Sequence, residues 1–227
     1  MSTRPTSSPG TGGLRLHLVR HGESLANEAD KAGAPRPADW DALSRRGWEQ
    51  ARGLGRRLEG HGIGLIVAST MRRAQETAAG INEVLGVPVE IDPDLHELMQ
   101  SDAFYGAVPE FADTASLNWM PTAPRDFAEP GAESFDAMLA RVVRVRDRIE
   151  ARAGDERLLL VTHYGWLHFF LGHTLFRDEF GPEHLLGLWL AGHANTGISV
   201  FERRARRMDG MDFSGWGLTT WNDQAHL

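Results

Sequence analysis

The chain predicts an α/β fold: a three-layer α/β/α sandwich with a mostly parallel central sheet, helices on both faces and a lid insertion. Three observations point there. Short apolar runs suited to buried strands occur at Leu14–Val19, Leu65–Ala68 and Leu158–Thr162. The segments between them repeat apolar residues every three or four positions, as amphipathic helices do. Strands alternating with helices pair in parallel and are covered on both faces. Finally, 227 residues are enough for one such domain with a substantial core.

In chain order, Met1–Gly13 is rich in Ser, Thr, Pro and Gly without an apolar stretch, and reads as a disordered leader rather than a secretory signal. Residues 14–227 read as a single domain, since no repeat or linker interrupts them. Leu14–Val19 is the first strand and empties into Arg20-His21-Gly22-Glu23-Ser24, after which a short helix reaches about Asp30. Gly33, Pro35 and Pro37 make 31–42 a loop. Ser44 is an N-cap, and Trp48, Ala51, Leu54 and Leu58 continue a helix up to Gly60. Leu65–Ala68 is a second strand, a helix covers about Thr70 to Leu85, and Val87–Ile91 is a third strand ended by Asp92-Pro93. Residues 95–132 hold no clean period and read as a partly helical lid. Phe135, Met138, Leu139, Val142, Val145 and Ile149 describe an amphipathic helix over Glu133–Arg152. Beyond Leu158–Thr162 come a helix from about Trp166 to Leu175 and strand-like segments at Leu186–Leu190 and Ile198–Phe201.

The formal net charge of −7 and a pI near 5.8 argue against nucleic acid and against an anionic membrane surface as partners. Phosphate chemistry in such a chain has to rest on a local positive pocket. With no cysteine there is no thiolate nucleophile, disulfide or cysteine-ligated zinc, and a cytoplasmic location is expected. No apolar run approaches the ~20 residues that span a bilayer.

Two polar clusters carry the chemistry. Arg20-His21-Gly22 follows one apolar strand directly, and His163-Tyr164-Gly165 follows another. Ligands of open α/β sheets sit beyond the carboxyl ends of the strands, so two histidines there can face one pocket. Either histidine alone would pass for a stray polar residue at a strand terminus; the pair, with an arginine attached, points to a site. Arg72 and Arg73 open the helix after the second strand, and a guanidinium fork matches phosphate oxygens.

At these positions the sequence resembles the histidine phosphatase superfamily, the phosphoglycerate mutase-like fold, over nearly its whole length. Arg20 to Ser24 with Asn27 matches the Arg-His-Gly-Glu-Ser/Thr signature. Leu43 to Ala51, Ser69 to Thr77, Leu95-His96-Glu97 and Gly131 to Ser134 match further motifs in order, with His163 as the second histidine. The resemblance selects Arg73 over Arg72 and implies a phosphatase of the same branch. His21 would be the nucleophile attacking phosphorus through a proton-free ring nitrogen, its other nitrogen donating to a backbone carbonyl near Gly22. Gly22 would let the loop approach the phosphate, and Arg20, Arg73 and a protonated His163 would bind its oxygens, with Asn27 adding a hydrogen bond. Glu97 would act as general acid and base. No metal and no cofactor are implied; the partner is a small phosphorylated metabolite.

The nearest rival is a phosphoglycerate mutase, which needs cations for a second phosphate; between Leu98 and Pro130 the only basic residue is Arg125. A serine esterase on Ser24 lacks the second glycine of a nucleophile elbow. A non-catalytic phosphate-binding protein would be expected to lose a catalytic residue. Glu133 reads as a helix-dipole partner, and Asn195-Thr196 as a brace for His163 or a cap. Substrate identity stays open, with Phe104, Tyr105, Trp119 and Met120 suggesting apolar lid walls. Tyr164 stands where the family commonly has a small residue. Oligomeric state is open too, a homodimer included.

Overall fold

The computed structural model describes residues 13–99, 123–152 and 157–227. The leader to residue 12 and the lid aromatics Phe104, Tyr105, Trp119 and Met120 lie outside them.

The apolar runs become strands β1 (Arg15–Arg20), β2 (Ile63–Ala68), β3 (Val89–Ile91) and β4 (Arg157–Thr162), and the C-terminal part forms β5 (Ile198–Met208) and β6 (Met211–Asp223). Their order is β3-β2-β4-β1-β5-β6, with β1, β2, β3 and β4 parallel and β5 and β6 antiparallel to their neighbours. Side chains alternate across a strand, so β1 sends Leu16 and Leu18 to one face and Val19 to the other, while β4 splits Leu158 and Leu160 from Leu159 and Val161. Both faces are therefore apolar and both are covered.

Helices α2 (Arg45–Leu58) and α3 (Arg72–Leu85) cover one face through Leu54, Leu58, Ala74, Ala78 and Ile81. On the other face lie α4 (Phe135–Glu150) and α5 (Tyr164–Phe176). α5 has no polar stripe, and every residue from Gly165 to Gly172 is buried, as an all-round apolar helix requires. Each fully buried Leu or Phe contributes about 1.5–3 kcal/mol of transfer free energy. A short helix α1 (Leu25–Ala32) follows β1. Ser24, Ser44 and Ser134 each accept a backbone N–H at a helix start, which fixes where α1, α2 and α4 begin.

Two expectations fail at the C-terminal part. Leu186–Leu190 is not a strand but the end of helix α6 (Pro182–Leu190), which starts with Pro182 in its first turn. A short apolar run does not distinguish the two states, and the buried pair Leu185 and Leu188 has helical spacing. The sheet also does not end at Phe201: β5 runs on to Met208, turns through Asp209-Gly210, both at positive φ, and returns as β6. An Asp-Gly pair between two strands is the hairpin signal that would have revealed it.

The core seals several imidazoles. Burial lowers His17 and His168 to about 4 and His193 to about 3, with Arg15 adding to the effect at His17. Their folded pKa values lie below the unfolded value, so as pH falls through 6.5 the unfolded chain takes up protons first. Stability present above pH 6.5 is then lost toward pH 4, at up to about 1.4 kcal/mol per pH unit for each such histidine. Urea unfolding between pH 7 and 5 measures this; a pH-independent stability across that window would show that these imidazoles are not buried in the neutral form.

Candidate active site

Every candidate residue sits at the carboxyl edge of the parallel strands or on the element that follows. Arg20 ends β1 and His21 follows it, its N–H donating to Thr162 O at 2.9 Å. His163 follows β4 and is the N-terminal cap residue of α5. Because β4 pairs with both β1 and β2, the β1 and β4 ends and the first turn of α3, which carries Arg73, meet at one place. The rings of His21 and His163 lie 5.2 Å apart.

His21 is 3% exposed and held at both ring nitrogens. Nδ1 donates to Gly22 O at 2.7 Å, and Nε2 accepts from Arg73 Nε at 3.0 Å. An acceptor at Nε2 and a donor at Nδ1 define one neutral tautomer, with its lone pair on Nε2. Burial, then the fields of Arg73 and Arg20, push the pKa of His21 well below the usual imidazole range, so this neutral form persists at pH 7.

Arg73 is itself ion-paired with Asp41, and its guanidinium lies 5.7 Å from the Trp40 ring. Arg20 donates from Nη1 to His193 O at 2.8 Å and lies 5.2 Å from the Tyr164 ring; burial lowers its pKa. Two buried polar atoms here, Arg20 Nε and His163 Nδ1, meet no hydrogen-bond partner among the described residues. Buried polar atoms without partners are uncommon, and the Arg20 Nε donor fits an anion better than apolar surroundings.

His163 differs from expectation. Burial, followed by the fields of Arg73 and His21, holds its pKa well below the imidazole range, so the protein's own groups favour the neutral ring rather than the protonated one. Its Nε2 shares a 2.8 Å hydrogen bond with the buried Ser69 Oγ.

Gly22 anchors the His21 loop to the helices packed against it. Its N–H donates to Thr77 Oγ1 at 2.8 Å, and Thr77 in turn donates to Arg73 O at 2.6 Å, so one hydroxyl ties the loop to α3. A Cβ on Gly22 would stand 2.7 Å from Gly47 O, so it is α2 that demands the glycine. Asn27 uses its side-chain oxygen to accept from Ser24 N at 3.3 Å and Asn195 Nδ2 at 3.2 Å, leaving its amide nitrogen as the end that can donate to the pocket. Asn195 also donates to His21 O at 3.0 Å: it braces the first histidine, not the second. Ser24 Oγ accepts the α1 N–H of Asn27, which gives it a capping role.

Glu97 reaches the same pocket from the segment after β3. Its Oε1 accepts from Leu98 N at 2.8 Å and from Gly165 N at 3.0 Å, the latter in the first turn of α5. Arg141 of α4 clamps the approach: Nη1 donates to Asp94 O and His96 O at 2.8 and 2.9 Å, while Glu133 holds the same guanidinium through two 2.7 Å bonds. Glu133 is thus the partner of Arg141. Nothing local in the sequence marks Asp41 or Arg141 as contributors, because each acts across elements remote in the chain; Ser69 and Thr77 are the ends of a matched motif, which leaves open what they hold.

A pocket of about 510 Å³ opens over these groups, lined among others by Arg20, His21, Asn27, Arg73, Glu97 and Tyr164. Its lining offers a tetrahedral anion an imidazole lone pair, guanidinium groups and a carboxyl, while His163, fully buried, is not part of that lining.

A family profile described as histidine phosphatase superfamily (branch 1) matches residues 16–223. The adenosylcobalamin/alpha-ribazole phosphatase of Escherichia coli (strain K12) is 31% identical over 171 residues, 71% of this chain and 79% of that protein. A protein of Erwinia tasmaniensis described as a probable phosphoglycerate mutase, GpmB, is 28% identical over 217 residues, 94% of this chain and 95% of that one. Among solved structures, mycobacterial glucosyl-3-phosphoglycerate phosphatase Rv2419c with VO3 has a TM-score of 0.69 at 25% identity, covering 92% of this chain and 99% of that one.

The position of Glu97 is open to a direct check. A Cβ on Gly165 would lie 2.7 Å from Glu97 Oε1 and 3.1 Å from Leu98 Cβ. Gly165→Ala is expected to displace the carboxylate and cost about 1–3 kcal/mol of stability. Unchanged urea unfolding would show that Glu97 does not pack against the start of α5.

Proposed function

We propose that this chain, which belongs to the histidine phosphatase superfamily, branch 1, is a phosphatase that hydrolyses a small phosphomonoester through a phosphohistidine on His21. The observation that carries the reading is the single tautomer of His21. Its Nδ1 proton is committed to Gly22 O, and its Nε2 lone pair lies 3.0 Å from a guanidinium nitrogen. An uncharged nucleophile within a cationic pocket attacks phosphorus without repelling the phosphate.

As substrate binds, Arg73 transfers its donation from Nε2 to a phosphate oxygen, and Arg20 Nε supplies another donor. The dianion offsets the burial and the positive fields that keep His163 neutral, so this ring takes a proton and donates in its turn. Each charge-assisted hydrogen bond of this kind is worth about 1.5–3 kcal/mol, and together they neutralise the transferring phosphoryl group in place of a metal. The Nε2–P bond forms as the P–O ester bond breaks. Glu97, with Oε1 held by two backbone amides, delivers the proton of its other oxygen to the departing alkoxide. The resulting carboxylate then takes a proton from water as that water attacks phosphorus. The N–P bond breaks, its electron pair returns to Nε2, and alcohol and phosphate leave.

Two relatives named as phosphatases, the alpha-ribazole and glucosyl-3-phosphoglycerate enzymes, support hydrolysis. The mutase reading finds less support in the pocket. Arg125, the sole basic residue between Leu98 and Pro130, is spent on Asp136 and Phe180 O, each at 2.8 Å.

His21→Ala is expected to lower the turnover of an aryl phosphate at least ~10³-fold in chelator-containing buffer, read as phosphate release; retained activity would reject the nucleophile. Glu97→Gln is expected to slow alkyl phosphates by about 10²-fold or more while aryl phosphates, whose phenolates leave unprotonated, lose only a few-fold. Equal losses would remove Glu97 as the acid.

A further inference from the structure

Asp30, Arg36, Trp40 and Trp189 complete the pocket wall beside the phosphate cradle, Trp40 with its ring 5.7 Å from the Arg73 guanidinium. Arg36 faces Asp30 fork to fork, Nε to Oδ1 and Nη2 to Oδ2, both at 2.9 Å. Among the described residues this is the one cation lining the pocket apart from Arg20 and Arg73, and it arrives already neutralised. Of the three guanidinium groups that line the pocket, Arg73 is paired with Asp41 and Arg36 with Asp30, so among the described residues only Arg20 makes no ion pair, and the lining holds little positive charge beyond what one phosphate takes up.

The rest of that wall is built for something uncharged. Trp40 is held against α1, its carbonyl accepting Ala26 N at 2.9 Å. Tyr164 OH donates to Trp189 O at 2.9 Å while its ring lies beside Arg20, so the wall and the cradle are tied together. A hydroxyl is donor and acceptor at once. The carboxylate of Asp30 can accept from it and the guanidinium of Arg36 can donate to it without the pair separating. Indole rings offer flat apolar faces to the C–H side of a ring.

We infer that the substrate carries a single phosphate on a neutral, hydroxyl-bearing ring of sugar or cyclitol type, selected by the Asp30–Arg36 pair and the Trp40 wall. A leaving group with a carboxylate or a second phosphate would meet the charge of Asp30 and would have to break the pair to gain Arg36. The inference rests on the phosphatase reading for its catalytic consequence but not for its binding preference.

The test compares sugar monophosphates (ribose 5-phosphate and glucose 6-phosphate) with 3-phosphoglycerate, by kcat/KM for the wild type and by calorimetric binding for His21→Ala. The sugar phosphates should lead by at least about tenfold in both. Asp30→Asn, which releases Arg36, should shift the ratio toward 3-phosphoglycerate by about tenfold or more. Arg36→Gln should weaken the sugar phosphates without rescuing 3-phosphoglycerate. Equal or better handling of 3-phosphoglycerate by the wild type, or a ratio that Asp30→Asn leaves unmoved, would overturn the inference. An aryl phosphate run alongside separates the two readings: if it is not hydrolysed, the phosphatase reading fails, and the binding ratio on His21→Ala still decides this one.

Discussion

The imidazole of His21 holds a proton-free Nε2 in the field of two guanidinium groups, and much of the local structure supports that arrangement. A carbonyl from its own loop holds the Nδ1 proton, and burial with the nearby positive charge keeps a second proton away. Neither condition would survive on a mobile loop. Thr162 O takes the His21 N–H, Asn195 takes its carbonyl, and Thr77 links Gly22 to the backbone of Arg73. Each polar group of the loop has somewhere to go, so little freedom remains for the ring to turn.

The sheet order makes this possible. Placing β4 between β1 and β2 aligns the carboxyl ends of three parallel strands, and the first turns of α3 and α5 then open onto the same space. Glycine is required where those layers approach most closely. Gly22 and Gly47 allow α2 to contact the His21 loop backbone to backbone, and Gly165 leaves room for the Glu97 carboxylate against α5. The segment that carries Glu97 is held by a partly buried pair, Arg141 with Glu133, whose side chains are 12% and 11% exposed. Ion pairs elsewhere on the surface, such as Arg45 with Glu49, sit in water and contribute little.

The guanidinium groups of the pocket differ in how they are balanced. Arg73 is balanced by Asp41 and Arg36 by Asp30, while Arg20 makes no ion pair among the described residues. The pocket lining thus holds three guanidinium groups, two of them matched by carboxylates.

The sequence by itself determined the alternation of strands and helices, the Ser44 cap, and the placing of Arg20, His21 and His163 at strand ends and of Arg72 and Arg73 at a helix start, while the family resemblance singled out Arg73 and Glu97. These depend on neighbours a few residues away, which residue type and spacing encode. It misread Leu186–Leu190 because a brief apolar run suits strand and helix alike, and it passed over the Asp209-Gly210 turn that extends the sheet. The tertiary structure alone decided which groups meet: Asn195 with His21 rather than His163, Glu133 with Arg141, Ser69 with His163, and a His163 that the protein itself holds neutral. Hydrogen-bond partners and the pKa of a buried ring are set by atoms tens of residues distant in the chain, and only the folded sheet brings those atoms together.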